Sequence, residues 1–272
     1  MEIKARGLTF EVSEGGPQDG EPVLLLHGFP QDNREFERIL PRLHAAGLRT
    51  YALNQRGYSP GARPADVEEY QLTEAVADAR AVLDELGVDR AHVVGHDWGA
   101  QVAWVLAAGH PDRVRTLTAI SVPHPRAMLL AMRVRPSQKA RLSYFGVFRS
   151  AAAERLLLGR DAAVLRWMFR PLSAERTQRY VDAAREPGRL TAGLNWYRAY
   201  RTDQVAGTGV ITVPTTYVWS DRDGVVGLTA ALRTADWVSA DYQLVAMRGV
   251  SHWVPEEAPE ELADAVLARI GV

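Results

Sequence analysis

The chain has 272 residues, 47% hydrophobic and 24% charged, which is enough for a full α/β core with an insertion. Lys and Arg number 32 against 33 Asp and Glu, a formal net charge of −1, so no global field favours nucleic acid or an anionic membrane. The sequence has no cysteine, which excludes disulfides, thiol chemistry and Cys-ligated metal. The start, Met1 to Arg6, carries no apolar signal core, and no apolar run approaches the length of a membrane span. A soluble, cytoplasmic protein is the expectation.

In chain order, Leu8 to Val12 reads as a first strand, and the Gly- and Pro-rich stretch from Glu14 to Glu21 as a turn. Val23-Leu24-Leu25-Leu26 is a continuous apolar run, as for a strand buried on both faces, and it ends in His27-Gly28-Phe29-Pro30. Leu48 to Leu53 is a further strand, followed by the loop Gln55-Arg56-Gly57-Tyr58-Ser59. From Thr73 to Leu86 apolar residues recur at helical spacing, with Thr73 as the expected N-cap and Gly87 as the stop.

The next stretch organises the rest. Ala91-His92-Val93-Val94 leads into Gly95-His96-Asp97-Trp98-Gly99, and an apolar helical pattern runs on to Ala107. A strand, a sharp turn and a helix are implied, with the central side chain raised at the edge of a sheet; this is the setting of a nucleophile elbow. The elbow residue here is Asp97. Read alone, the same turn fits a helix N-terminus capped by that aspartate. A strand from Val114 to Ser121 follows, and then about Pro125 to Gly207 shows only helical segments. Strands resume at Thr215–Trp219 and Tyr242–Val245, before a helix from Pro259 to Ile270. The alternation predicts an α/β fold with a mostly parallel sheet flanked by helices. An all-helical cap at 124–207 divides the core into 1–123 and 208–272.

Nucleophilic catalysis on such an elbow needs an acid and a histidine later in the chain, in that order. Only His252 follows the helical stretch, in a loop just after a predicted strand. The loop Ser220-Asp221-Arg222-Asp223 offers two carboxylates, whereas the loop after Ile120-Ser121 offers none.

Taken together, His27-Gly28-Phe29-Pro30, Gly95-His96-Asp97-Trp98-Gly99, Asp223 and His252-Trp253 resemble the α/β-hydrolase fold enzymes with an aspartate nucleophile, and among them the soluble epoxide hydrolase group. The resemblance spans almost the whole chain. It implies Asp97 as nucleophile, His252 as base and Asp223 rather than Asp221 as the triad acid, with the N–H groups of Phe29 and Trp98 as the oxyanion hole. Leu194-Asn195-Trp196-Tyr197-Arg198 resembles the cap segment that carries one ring-opening tyrosine, which maps onto Tyr197. Ser143-Tyr144-Phe145-Gly146-Val147-Phe148 resembles the segment with the other, mapping onto Tyr144, although Arg149-Ser150-Ala151 departs from the family's continuation. Asn54 stands where many relatives have Asp, and Ser220 where Gly is usual. Trp196 and His124 are expected beside the substrate, and His27 and His96 as supports of their turns.

A carboxylate suits attack on a saturated carbon bearing a leaving group, giving an ester on the enzyme. The implied reaction converts a small apolar epoxide and water to a vicinal diol, with no metal or organic cofactor, in a monomer or homodimer. Halide displacement from haloalkanes or haloacids uses the same Asp-His-Asp machinery. However, haloalkane dehalogenases usually place Asn where Phe29 stands. Fluoroacetate dehalogenases carry Arg after the nucleophile, where this chain has Trp98. A serine-type esterase is disfavoured by Asp97. A binding protein on the same scaffold would be expected to have lost a triad member, and all are present.

Overall fold

The computed structural model describes every residue, Met1–Val272. Its strands are β1 (Glu2–Ala5), β2 (Leu8–Gly15), β3 (Glu21–Leu26), β4 (Leu48–Leu53), β5 (Ala91–His96), β6 (Val114–Ile120), β7 (Thr215–Ser220) and β8 (Tyr242–Met247). They form one sheet in the order β1-β2-β4-β3-β5-β6-β7-β8, antiparallel at β1-β2-β4 and parallel from β4 to β8. All six residues of β5 and all six of β7 are buried, as expected for central strands covered on both faces, and the two buried histidines of β5, His92 and His96, are hydrogen-bonded. Alternate β3 residues divide between the faces: Leu24 and Leu26 enter one core, Val23 and Leu25 the other.

The helices outside the insertion are α1 (Leu40–Ala45), α2 (Leu72–Glu85), α3 (Trp98–Gly109), α11 (Leu228–Arg233), α12 (Val254–Glu257) and α13 (Pro259–Ile270). The first core includes α2 and α3 side chains, and the second includes those of α1 and α13, so the sheet is covered on both sides. Between β6 and β7 come seven helices and no strand: α4 (Pro125–Val134), α5 (Pro136–Arg141), α6 (Tyr144–Arg149), α7 (Ala153–Met168), α8 (Ala174–Ala184), α9 (Arg189–Ala199) and α10 (Thr202–Ala206). No helix is long and apolar enough to cross a membrane.

Two local expectations change. The first strand is the second arm of a hairpin, whose turn Arg6-Gly7 has φ of 52° and 77°. Two consecutive positive φ values are the hairpin geometry usually signalled by Asn-Gly, and Arg6 conceals it. The Arg6 guanidinium is instead anchored to Glu74 and Asp78 at 2.6 and 2.7 Å. In α2 the N-cap is Gln71, without a side-chain cap bond, and Thr73 lies inside the first turn.

Parallel strands share one carboxyl-terminal edge, where α/β sheets bind ligands. The segments that follow β3, β5, β7 and β8 carry Phe29, Asp97, Asp223 and His252 to that edge.

Candidate active site

Asp97 joins β5 to α3 with φ 52° and ψ −114°, a conformation that is strained for a residue with a side chain. Close backbone packing holds it there. A Cβ on Gly99 would lie 1.9 Å from the Leu26 carbonyl oxygen, and one on Gly28 would lie 2.4 Å from Asp97 Cβ, so only glycine fits either position. The Asp97 carboxylate makes no capping bond to α3. It faces the sheet edge instead.

There Asp97 Oδ1 accepts from the Phe29 N–H at 2.9 Å, and Asp97 Oδ2 lies 3.3 Å from His252 Nε2. No bond from the Trp98 N–H reaches the carboxylate. His252 Nδ1 meets Asp223 Oδ2 at 2.9 Å, while Asp223 Oδ1 accepts from the N–H groups of Val225 and Val226 at 2.6 and 3.1 Å. Of the two carboxylates in that loop, Asp223 is therefore the histidine's partner. Asp221 is exposed and takes the Gly249 N–H at 2.7 Å.

Burial alone would favour the neutral forms of both Asp97 and His252. For Asp97, the hydrogen bond and charge of His252 outweigh burial and lower its pKa. Burial would also lower the His252 pKa, but the charge and hydrogen bond of Asp223, joined by those of Asp97, raise it to about 10. Both shifts favour an ionised carboxylate beside an imidazolium.

The His252 carbonyl oxygen lies 3.0 Å from both His96 Nε2 and Ser121 Oγ. His96 Nδ1 meets Glu35 Oε2 at 3.0 Å, both side chains fully buried, and burial pushes the Glu35 carboxyl up to about 7. His96 thus braces the catalytic loop rather than only its own turn. Neither Glu35 nor Ser121 carried a sequence signal. His27 supports the loop after β3: Nδ1 donates to the Gly28 carbonyl, Nε2 accepts from the Gln55 N–H, and burial lowers its pKa to about 4.

Across from Asp97, α6 and α9 bring Tyr144 and Tyr197 together, ring centroids 6.1 Å apart. Cavities of about 220 and 480 Å³ share Asp97, Tyr144, Tyr197 and Val225, so the carboxylate and both phenols face one forked apolar space. Burial, with the negative charge of Asp97 adding to it, holds both phenols well above their ordinary pKa; for Tyr197 the neighbouring Tyr144 also contributes. The Trp98 ring lines the smaller cavity, and its Nε1–H makes no hydrogen bond of ordinary geometry.

Two expected substrate contacts are not made. Trp196 lines neither cavity: its buried indole donates to the Arg56 carbonyl at 2.9 Å, because successive helix positions point about 100° apart and Tyr197 takes the inward one. His124 is fully buried at the start of α4, where Nδ1 accepts from the Arg126 N–H, Nε2 donates to the Gly209 carbonyl and the ring stacks on Trp237. It fixes the first junction of the insertion. No group of three or more His, Asp or Glu side chains is placed to hold a metal.

With this geometry established, comparison with known proteins gives a consistent result. Residues 21–259 match the family model described as alpha/beta hydrolase fold. An AB hydrolase superfamily protein of Bacillus subtilis is 32% identical, covering 97% of this chain and 95% of the relative. Epoxide hydrolase A of Mycobacterium tuberculosis is also 32% identical, with the same coverage. Among solved structures, epoxide hydrolase A of Mycobacterium thermoresistibile superposes with a TM-score of 0.87 at 28% identity, over 100% of this chain and 97% of the other. An epoxide hydrolase from Bacillus megaterium, crystallised with its diol product, gives 0.91 at 23% identity over the whole of both chains and shares the fold.

Proposed function

The chain belongs to the α/β-hydrolase fold family, and within it we propose that this protein is an epoxide hydrolase, converting a small apolar epoxide and water to a vicinal diol. The observation that carries this reading is the opposition of Asp97 to Tyr144 and Tyr197 around one apolar space. A carboxylate attacks a ring carbon from one side, and two phenols receive the ring oxygen on the other. Residues 124–207 act as the cap that supplies the phenols.

Ionised Asp97 attacks the ring carbon, the C–O bond breaks, and a phenol protonates the departing oxygen. This step needs no base, so the imidazolium form of His252 does not hinder it. Forming the ester removes the charge of Asp97, one of the two carboxylates that hold the His252 proton. The imidazolium then gives up that proton more readily; through solvent it restores the phenol that protonated the ring oxygen, and the neutral imidazole takes a proton from water, while Asp223 keeps Nδ1 oriented. The hydroxide attacks the ester carbonyl, whose oxygen is stabilised by the Phe29 N–H and, in the tetrahedral state, by the Trp98 N–H. Such donors are worth about 3 kcal/mol each. The diol leaves and Asp97 is restored. Every group comes from this chain, so the reaction runs in a monomer or in each half of a homodimer.

A second reading, halide displacement by the same carboxylate, would use the Trp98 Nε1–H, which has the Tyr197 hydroxyl as a hydrogen-bonding neighbour rather than a partner of ordinary geometry. It leaves both phenols without work. Single turnover with excess enzyme in heavy-oxygen water tests the epoxide reading. The diol forms with its new oxygen drawn from Asp97 and the heavy atom retained in the Asp97 carboxylate. Direct labelling of the diol with none in Asp97 overturns the ester mechanism, and halide release without diol favours displacement.

A further inference from the structure

The loop that carries Asp223 is gripped by the insertion at a side chain that the mechanism leaves unused. Of the six residues of α5, Pro136–Arg141, only Gln138 is buried, at 2% exposure. A short helix that buries a single residue normally buries an apolar one, since a buried amide costs free energy unless it is hydrogen-bonded. Here the amide is bonded at both ends to one loop: Nε2–H donates to the Val225 carbonyl at 2.8 Å, and Oε1 accepts from the Gly227 N–H at 2.9 Å. One turn further along, the Arg141 guanidinium donates to the carbonyl of Asp223 at 2.7 Å. The same loop turns its own N–H groups of Val225 and Val226 onto Asp223 Oδ1 and sets the Val225 side chain into both cavities. Three residues beyond α5 stands Tyr144.

We infer that Gln138, seconded by Arg141, is a positioning residue for the triad acid. It holds the 223–227 loop so that Asp223 stays aligned with His252 Nδ1. The inference rests on the ester reading above and assigns Gln138 to its second half. Alkylation of Asp97 needs no proton accepted by His252, whereas ester hydrolysis does. Freeing the loop therefore slows hydrolysis and leaves alkylation intact. The ester then accumulates, kcat and KM fall together, and kcat/KM, which reports only the steps up to the ester, is preserved. A merely structural role predicts otherwise, since partial unfolding or a distorted cavity lowers kcat/KM.

The test compares the full chain with Gln138→Leu, which keeps the volume and loses both bonds, and with Arg141→Met, which leaves the buried amide in place. Steady-state kinetics on a styrene oxide-type epoxide are paired with rapid-quench intact-mass detection of the ester. The result expected for Gln138→Leu is a fall in kcat of about ten- to a hundredfold, the scale of a small misplacement of catalytic groups, with kcat/KM kept within about twofold and ester visible in the steady state. Arg141→Met shows the same split with smaller amplitude and covers the case in which Gln138→Leu does not fold. A fall in kcat/KM equal to that in kcat, or unchanged kinetics in both variants, overturns the inference. Absence of diol and ester with the unaltered chain would instead overturn the epoxide reading itself.

Discussion

At the scale of the residue, the site is built from groups whose surroundings oppose their burial. Asp97 stays ionised in an apolar space because His252 faces it, and His252 stays protonated because two carboxylates face it. The pH dependence follows. Ester hydrolysis needs neutral His252, so kcat falls as pH drops through the His252 pKa of the ester state. That value lies below the resting value of about 10, because the Asp97 charge is gone. Asp223→Asn removes the second carboxylate and moves this acidic limb to still lower pH while reducing kcat. Ring opening needs protonated phenols, so activity declines only at pH above the ordinary tyrosine value near 10. Tyr197→Phe and Tyr144→Phe each lower kcat/KM by about 10²-fold, the lower range for a positioned acid; stopped-flow alkylation rates across pH check the basic limb, and single-turnover rates of ester hydrolysis check the acidic one.

Which residues were legible in the sequence follows from how each is held. Asp97, His252 and Asp223 sit in short segments whose turn chemistry and order are local, so spacing marks them. Trp196 and His124 turn away from the cavities, because a residue type and its neighbourhood do not fix which way a side chain faces. Glu35 and Gln138 had no local mark at all. Their partners lie 61 and 87 or more residues away, joined only when the sheet edge and the insertion come together.

At the scale of the element, β3 is legible from the continuous apolar run Val23–Leu26, β5 from the apolar β-branched stretch that leads into the elbow, and β7 from the resumption of strand–helix alternation after the insertion, while α13 is legible end to end. What escaped was irregular backbone. The β1-β2 turn hides behind Arg6, and α7 is two helical pieces meeting at Gly159–Ala162, where Arg160, Asp161 and Ala162 all have φ between 50° and 57°. Three successive left-handed residues with side chains are costly, at about 1–2 kcal/mol each. Arg160 is exposed and carries no ion pair, so its side chain gives little in return. Arg160→Gly is therefore expected to stabilise the protein by about 1 kcal/mol, seen as a higher urea midpoint with unchanged slope. A lower midpoint would mean that the corner is not left-handed in solution.

At the scale of the whole molecule, two bodies of different composition share one site, and ion pairs join them. Arg176 of α8 reaches both Glu256 oxygens at 2.7 and 2.8 Å and Glu37 at 2.9 Å, and Tyr180 donates to Glu256 at 2.5 Å. Arg179 pairs with Glu37, and Arg189 with Asp32. Glu256 follows His252 by four residues, so the clamp that seats the insertion also borders the catalytic loop. Its carboxylate is almost fully buried, and removing its cation leaves a buried charge short of partners. Arg176→Ala should cost about 3 kcal/mol, with more than half recovered when Glu256→Gln is added, measured by urea unfolding of the single and double variants. Asp32 adds an acid dependence. Burial would raise its pKa, but the hydrogen bond of Arg34 and the charges of Arg189 and Arg34 outweigh burial and lower it to about 2. Its contribution is complete above the ordinary value of 3.8 and is lost as pH falls through about 2, so Asp32→Asn flattens the stability curve across that window.

The proposed mechanism turns on one covalent event, the ester on Asp97. The most direct test is the intact mass of a His252→Gln variant after exposure to mixed epoxides and, separately, to haloalkanes. Without its base the enzyme should retain the ester, gaining the whole mass of one epoxide on the peptide that contains Asp97. A gain of substrate less hydrogen halide, from haloalkanes alone, or no adduct from either set would contradict the account.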